Sequence, residues 1–225
     1  MDEPLQRLTF DDILFEIRQA EKEKREANLS NKLLPEFSLS SRTINTTLNL
    51  ENSTVQGAIY LNNCIINGDI KLNNSLIYTT IYINESEINN FIAKNIRIRE
   101  VINFLASKIK GNIDMEKSQI KGFISFNRTE VGNDIILNEV IAKDIMTKSG
   151  NMKGDLYVRN TKVSGNIFIK NGSFDGLGSF ESSFIEKDLD FSESKFKEVV
   201  NLSGLNINGQ VIAKTLECKN LIAHI

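Results

Sequence analysis

The 225-residue chain has no tryptophan, two prolines, two cysteines and one histidine. Each shortage closes off a class of protein. Two cysteines, Cys64 and Cys218, cannot make a disulfide framework, and their distance along the chain argues against a shared metal. The one histidine, His224, stands next to last, a poor place for a general base. The opening MDEPLQRLTF lacks a basic start followed by an apolar run, so no secretory signal is read. No apolar stretch reaches the length of a membrane-spanning helix, so no transmembrane segment is expected. Excess charge is also missing, with 27 Lys+Arg against 29 Asp+Glu and a formal net charge of -2. Direct nucleic-acid binding is therefore not expected, because it normally shows as a basic excess. A cytoplasmic protein with no cofactor and no metal is the reading that survives.

What the chain does have is branched apolar residues, asparagine, serine and a repeat. The segments GAIYLNNCIIN (57–67), GDIKLNNSLIY (68–78), GNIDMEKSQIK (111–121) and GDLYVRNTKVS (154–164) stack in one phase at a period of 11. About seventeen such units run from residue 35 to Lys219. Two are one residue short, NFIAKNIRIR (90–99) and DIMTKSGNMK (144–153). In each unit the third and fifth positions are apolar, the eighth is small and the tenth is apolar again. Residues two apart share one face of a strand, so each unit supplies two short strands. The inward intervals run 2, 3, 2 and 4, and the two longer gaps must be corners. Two units, 22 residues, would close one four-sided coil, with coils stacked at about 4.8 Å. The expected fold is all-β, a single-stranded β-helix solenoid of 11-residue repeats over 35–225, with an N-terminal capping α-helix and linker in 1–34. The helical alternative fails, because no 3.6-residue period appears after residue 35.

The triplets Ser75-Leu76-Ile77 and Ser118-Gln119-Ile120 carry a small residue and, two later, a branched one. In this the chain resembles the pentapeptide-repeat family of right-handed quadrilateral β-helices, whose A-(D/N)-L-x-x unit gives inward intervals of 2 and 3. The departure is one extra residue at every second corner, 5 plus 6 in place of 5 plus 5. The resemblance implies the right-handed architecture. It also implies one possible role, since some members act as duplex mimics on DNA-handling enzymes such as topoisomerases.

The recurring glycines, Gly57, Gly68, Gly111, Gly122, Gly154, Gly165, Gly176 and Gly209, are expected to mark corners needing positive φ. Spread at period 11, they do not form a phosphate-cradling loop. Cys64 and Cys218 fall at inward positions and are expected to be buried. Asp114, Glu116, Asp188, Asp190 and Glu193 are expected to face solvent among lysines, and Lys94 and Lys148 of the short units to turn outward. Over residues 9–27, Phe10, Ile13, Leu14 and Ile17 recur at helical spacing, with Thr9 and Asp12 placed as a capping box and the charged end of the helix running into solvent. This helix either caps the first coil or binds a partner. At the other end Leu221, Ile222 and Ile225 follow the last unit with no polar cap, which suggests a homo-oligomer joined through the C-terminal coil. The functional expectation is a non-enzymatic protein-interaction or structural scaffold. The alternatives are a DNA-mimic modulator and a self-assembling filament module.

Overall fold

The structure, a computed structural model, describes residues 5–223. It is a β-solenoid with about 22 residues per coil and one N-terminal helix, α1 (Phe10–Glu23). One coil reads Ile59–Tyr60, Ile65–Ile66, Ile70–Lys71, Leu76–Ile77, one two-residue strand on each of four faces. We number these faces I to IV in that order. Every pairing is parallel, and partners lie 22 residues apart, as in Ile59 with Ile81 and Leu48 with Ile70. The offset falls to 21 where the pairing spans a short unit, as in Ile70 with Phe91 and Ile135 with Leu156, and also at the two ends, as in Ala27 with Leu48 and Val200 with Leu221, while Gln6 pairs with Lys32 across the helix. Face III stacks ten strands, from Ala27–Asn28 to Asn220–Ile222, which makes the rod about 43 Å long at the strand spacing. Stacked strands begin ahead of residue 35: Ala27 pairs with Leu48 and Leu33 with Thr54.

The inward positions form one continuous core of Ile, Leu, Val and Phe. Phe174 and Phe196 stack with ring centroids 4.3 Å apart. Gly178 stands where an apolar side chain is due, and a Cβ there would come within 2.7 Å of the Phe196 ring, which fills the space. The small eighth position has its own chemistry. Ser118 Oγ donates to the carbonyl of Ala93 at 2.8 Å in the coil before, and accepts from the Ile96 amide at 3.2 Å. Ser183 does the same with Val158 and Thr161. Cys64 joins this column, its thiol 3.0 Å from the Leu39 carbonyl, and burial pushes that thiol's pKa up. Cys218 differs from expectation: it is only partly buried, because no coil lies over it among the described residues.

The corners correct the reading of the glycines. Positive φ occurs at the narrow corner, one residue before the small position; Asn carries it more often than any other residue, as at Asn63 (54°) and Asn74 (59°), with Ser, Glu and others such as Ala106 at the remaining corners. Asn tolerates the left-handed region better than most side chains. Among the described glycines only Gly204, at that same narrow corner, has positive φ. The unit-opening glycines sit at the wide corner for a different reason. A Cβ on Gly122 would lie 2.4 Å from the Glu100 carbonyl oxygen, and one on Gly209 2.3 Å from that of Lys187. Close stacking of coils, not backbone handedness, selects glycine there.

The second short unit also has a structural signature. Across it the chain passes from face IV to face I unbroken, as the eight-residue strand Ile141–Lys148, which pairs with the seven-residue strand Gln119–Ser125 that makes the same passage over a full-length corner one rung before. Lys94 and Lys148 are exposed, as their displacement from the apolar position requires.

Helix α1 covers the first coil with Ile13, Ile17 and Ala20, all buried, while Phe10 and Leu14 pack partly against the same core. Thr9 and Asp12 form the reciprocal capping box, with Asp12 N donating to Thr9 Oγ1 at 3.2 Å and Thr9 N to Asp12 Oδ2 at 2.7 Å. The helix is shorter than the sequence suggested. It stops at Glu23, where Lys24 turns left-handed (φ 56°), and the chain enters a strand at Ala27 rather than running into solvent. The exit is pinned by Arg25, which bridges Glu16 and Glu23, and by the Asn28 amide, which donates to Glu16 Oε1 at 2.7 Å.

Candidate interaction face

A strand two residues long leaves one side chain pointing out per face and per rung, flanked by the corner residues. Parallel stacking then puts equivalent residues of successive coils in straight columns about 4.8 Å apart. Charge on this molecule is sorted by those columns.

Face IV carries the outward pairs Leu76/Tyr78, Arg97/Arg99, Gln119/Lys121, Ile141/Lys143 and Lys162/Ser164 on consecutive rungs. Five of these ten residues are basic and none is acidic. Among the described residues, none of the five cations makes an ion pair. Arg99 lies over the Tyr78 ring, 4.1 Å from its centroid. Ile141, 48 % exposed, adds an apolar centre.

Face III, the next face round the coil, has the opposite character. Glu26, Glu51, Asp69, Asp114, Glu116, Asp134, Asp155 and Glu181 stand on it, against Lys71, Lys94 and Arg159. Each of those cations is already ion-paired on the same face: Lys71 with Glu26 at 2.9 Å, Lys94 with Asp114 at 2.8 Å and Arg159 with Glu181 at 3.0 Å. One column also holds the coils together. The amide of Asn112 donates to Asn90 Oδ1, Asp134 to Asn112, Asp155 to Asp134 and Leu177 to Asp155, all at 2.8 to 3.0 Å. Tyr157 donates its hydroxyl to Asp155 at 2.5 Å, and that bond, with burial, pushes its pKa up to about 12.

Faces I and II are mixed. On face I, Asp190 departs from expectation: it is buried rather than solvent-facing, with Lys170 Nζ at 2.6 Å and Ser192 Oγ at 2.5 Å. Burial is the largest single influence and opposes ionisation, but Lys170 and Ser192 together hold the carboxyl below its ordinary value.

The residues singled out in the sequence do not converge on one site. Phe10, Ile13, Leu14 and Ile17 belong to the cap. Leu221 is 43 % exposed and Ile222 partly buried on the last described coil, while Ile225 and His224 lie outside the described residues. Cys64 and Cys218 belong to different parts of the rod, and no cluster of three potential metal ligands occurs among the described residues. An open groove of about 770 Å³ runs between α1 and face III, lined by Phe15, Glu16, Arg25 and Asn49, and Phe15 is 63 % exposed. No helix among the described residues is long and apolar enough to cross a membrane.

The basic face escaped the sequence reading because an 11-residue alignment superposes opposite faces of the coil. Aligning alternate units at period 22 separates Arg97, Arg99, Lys121, Lys143 and Lys162 from the carboxylates. No protein-family model matches the chain, and no curated protein is similar to it in sequence.

Proposed function

We propose that the protein is a non-enzymatic interaction scaffold whose contact surface is face IV. One observation carries this: five cations on four consecutive rungs have no acidic partner, while the cations of face III are all paired. Like charges held about 4.8 Å apart repel one another, so such an array is a standing cost to the fold unless something anionic meets it. The lattice beneath, hydrogen-bonded through Ser and Asn side chains, fixes the backbone positions of the array, so that only the side chains remain to be ordered on binding. We also read the 11-residue unit as a 5+6 variant of the pentapeptide repeat, on the small-x-apolar triplets.

Two other readings are weaker. A duplex mimic needs a continuous carboxylate stripe, and face III comes nearest, but Lys71, Lys94 and Arg159 interrupt it. A filament needs two open ends, and α1 covers one of them. The test is capture of partners by the wild type and by the triple variant Arg99→Glu/Lys121→Glu/Lys143→Glu. The variant is expected to keep its circular dichroism and lose the partner. Equal capture by both proteins would place the contact elsewhere and refute the reading.

A further inference from the structure

We infer that face IV takes the acidic face III of a second copy of this chain, building a side-by-side, salt-sensitive assembly. This rests on the reading of face IV as the contact surface. Three observations point to a second copy rather than to an unrelated anion.

The charges are complementary within one sequence. Face IV is basic on four consecutive rungs, at Arg97/Arg99, Lys121, Lys143 and Lys162. Face III carries a carboxylate excess on four consecutive rungs, at Asp114/Glu116, Asp134, Asp155 and Glu181, even with Lys94 paired to Asp114 and Arg159 to Glu181. The spacing is also matched. Both faces belong to the same coil stack, so their columns have the same repeat of about 4.8 Å, and two rods laid side by side stay in step along the contact. An extended peptide presents same-face carboxylates every second residue, about 6.6 Å apart, and drifts out of step within two or three rungs. Finally, the near-zero net charge removes the long-range repulsion that would keep copies apart.

Because the two faces differ, the contact is heterologous: each copy offers one basic and one acidic face. That sets up a test through charge reversal. Sedimentation velocity of the full chain at low ionic strength should show concentration-dependent association, weakened roughly tenfold or more at high salt. Arg99→Glu/Lys121→Glu/Lys143→Glu leaves face IV with three carboxylates against Arg97 and Lys162, and Glu51→Lys/Glu116→Lys/Glu181→Lys leaves face III with six cations against five carboxylates, so each variant loses one of its two complementary faces and keeps the other. Each variant alone is expected to be monomeric, and an equimolar mixture to associate again. The neutral variant Arg99→Gln/Lys121→Gln/Lys143→Gln, which introduces no new charge, should also be monomeric, and circular dichroism monitors folding throughout.

A monomeric wild type at low salt would overturn the inference, as would a mixture of the reversed variants that stays monomeric. Binding of a single-stranded RNA homopolymer or of anionic vesicles by face IV, with no self-association, would do the same. If the wild type is monomeric but the Glu triple variant still loses a captured partner, self-pairing fails and the scaffold reading stands.

Discussion

At the scale of single residues, the fold depends on groups too small to look important. Ser118 is fully buried and bonded on both sides, to the Ala93 carbonyl and the Ile96 amide. Ser118→Ala leaves both without that partner and is expected to cost about 1–3 kcal/mol by urea denaturation. Gly122→Ala presses a methyl onto the Glu100 carbonyl, 2.4 Å from the new carbon, and should cost at least about as much as overpacking a core, 1–3 kcal/mol. Gly204→Ala is strained through its positive φ instead, with its nearest neighbour at 3.4 Å. Gly204→Asn should therefore be tolerated where Gly122→Asn is not. Asp190 gives a pH signature. Its folded pKa is depressed, so its contribution is complete above the unfolded value of about 3.9 and fades as pH falls through the folded one. Asp190→Asn should flatten the acid limb of stability measured against pH.

At the scale of elements, the repeating strands were legible because period 2 within a strand and period 11 along the chain reinforce each other. The helix was legible too, from Ile13, Ile17 and the Thr9–Asp12 box. Its end was not. EKEKREAN has good helical propensity, and the stop depends on tertiary ties, Arg25 with Glu16 and the Asn28 amide with the same carboxylate. Propensity loses to such contacts routinely. Thr9→Ala is expected to cost about 1 kcal/mol through the lost cap, and Ile13→Ala about 2–5 kcal/mol through the cavity. The two are not expected to add in thermal denaturation, because the Ile13 amide donates to the Thr9 carbonyl and loss of the cap frays the turn that holds Ile13. The glycines were misread for a related reason. Sequence spacing marks a glycine, but only the neighbouring coil shows whether φ or close approach demands it.

At the scale of the whole molecule, near-neutral composition concealed a dipolar surface. The balance of 27 against 29 charges is a sum over four faces, and it says nothing about how they divide. Arg99, Lys121 and Lys143 are 22 residues apart and contiguous only after the chain has coiled. Reversing those three charges should change stability little, since none is ion-paired, and could even raise it by relieving repulsion. Wild type should therefore gain thermal stability as salt is added, and the neutral Gln variant should gain less.

The Ser and Asn ladders bond each rung only to the rung before and the rung after it, and this has a mechanical consequence. Tension applied to the C-terminal end does not load the rod evenly, because the last described coil is fastened on one side alone. It peels. Each coil that lets go frees about 22 residues, a gain of roughly 75 Å in contour length at 3.3–3.6 Å per residue. An optical-trap trace should show evenly spaced steps of that size, with a shorter interval wherever a short unit is released. The α1 lid should give way last, and at the highest force.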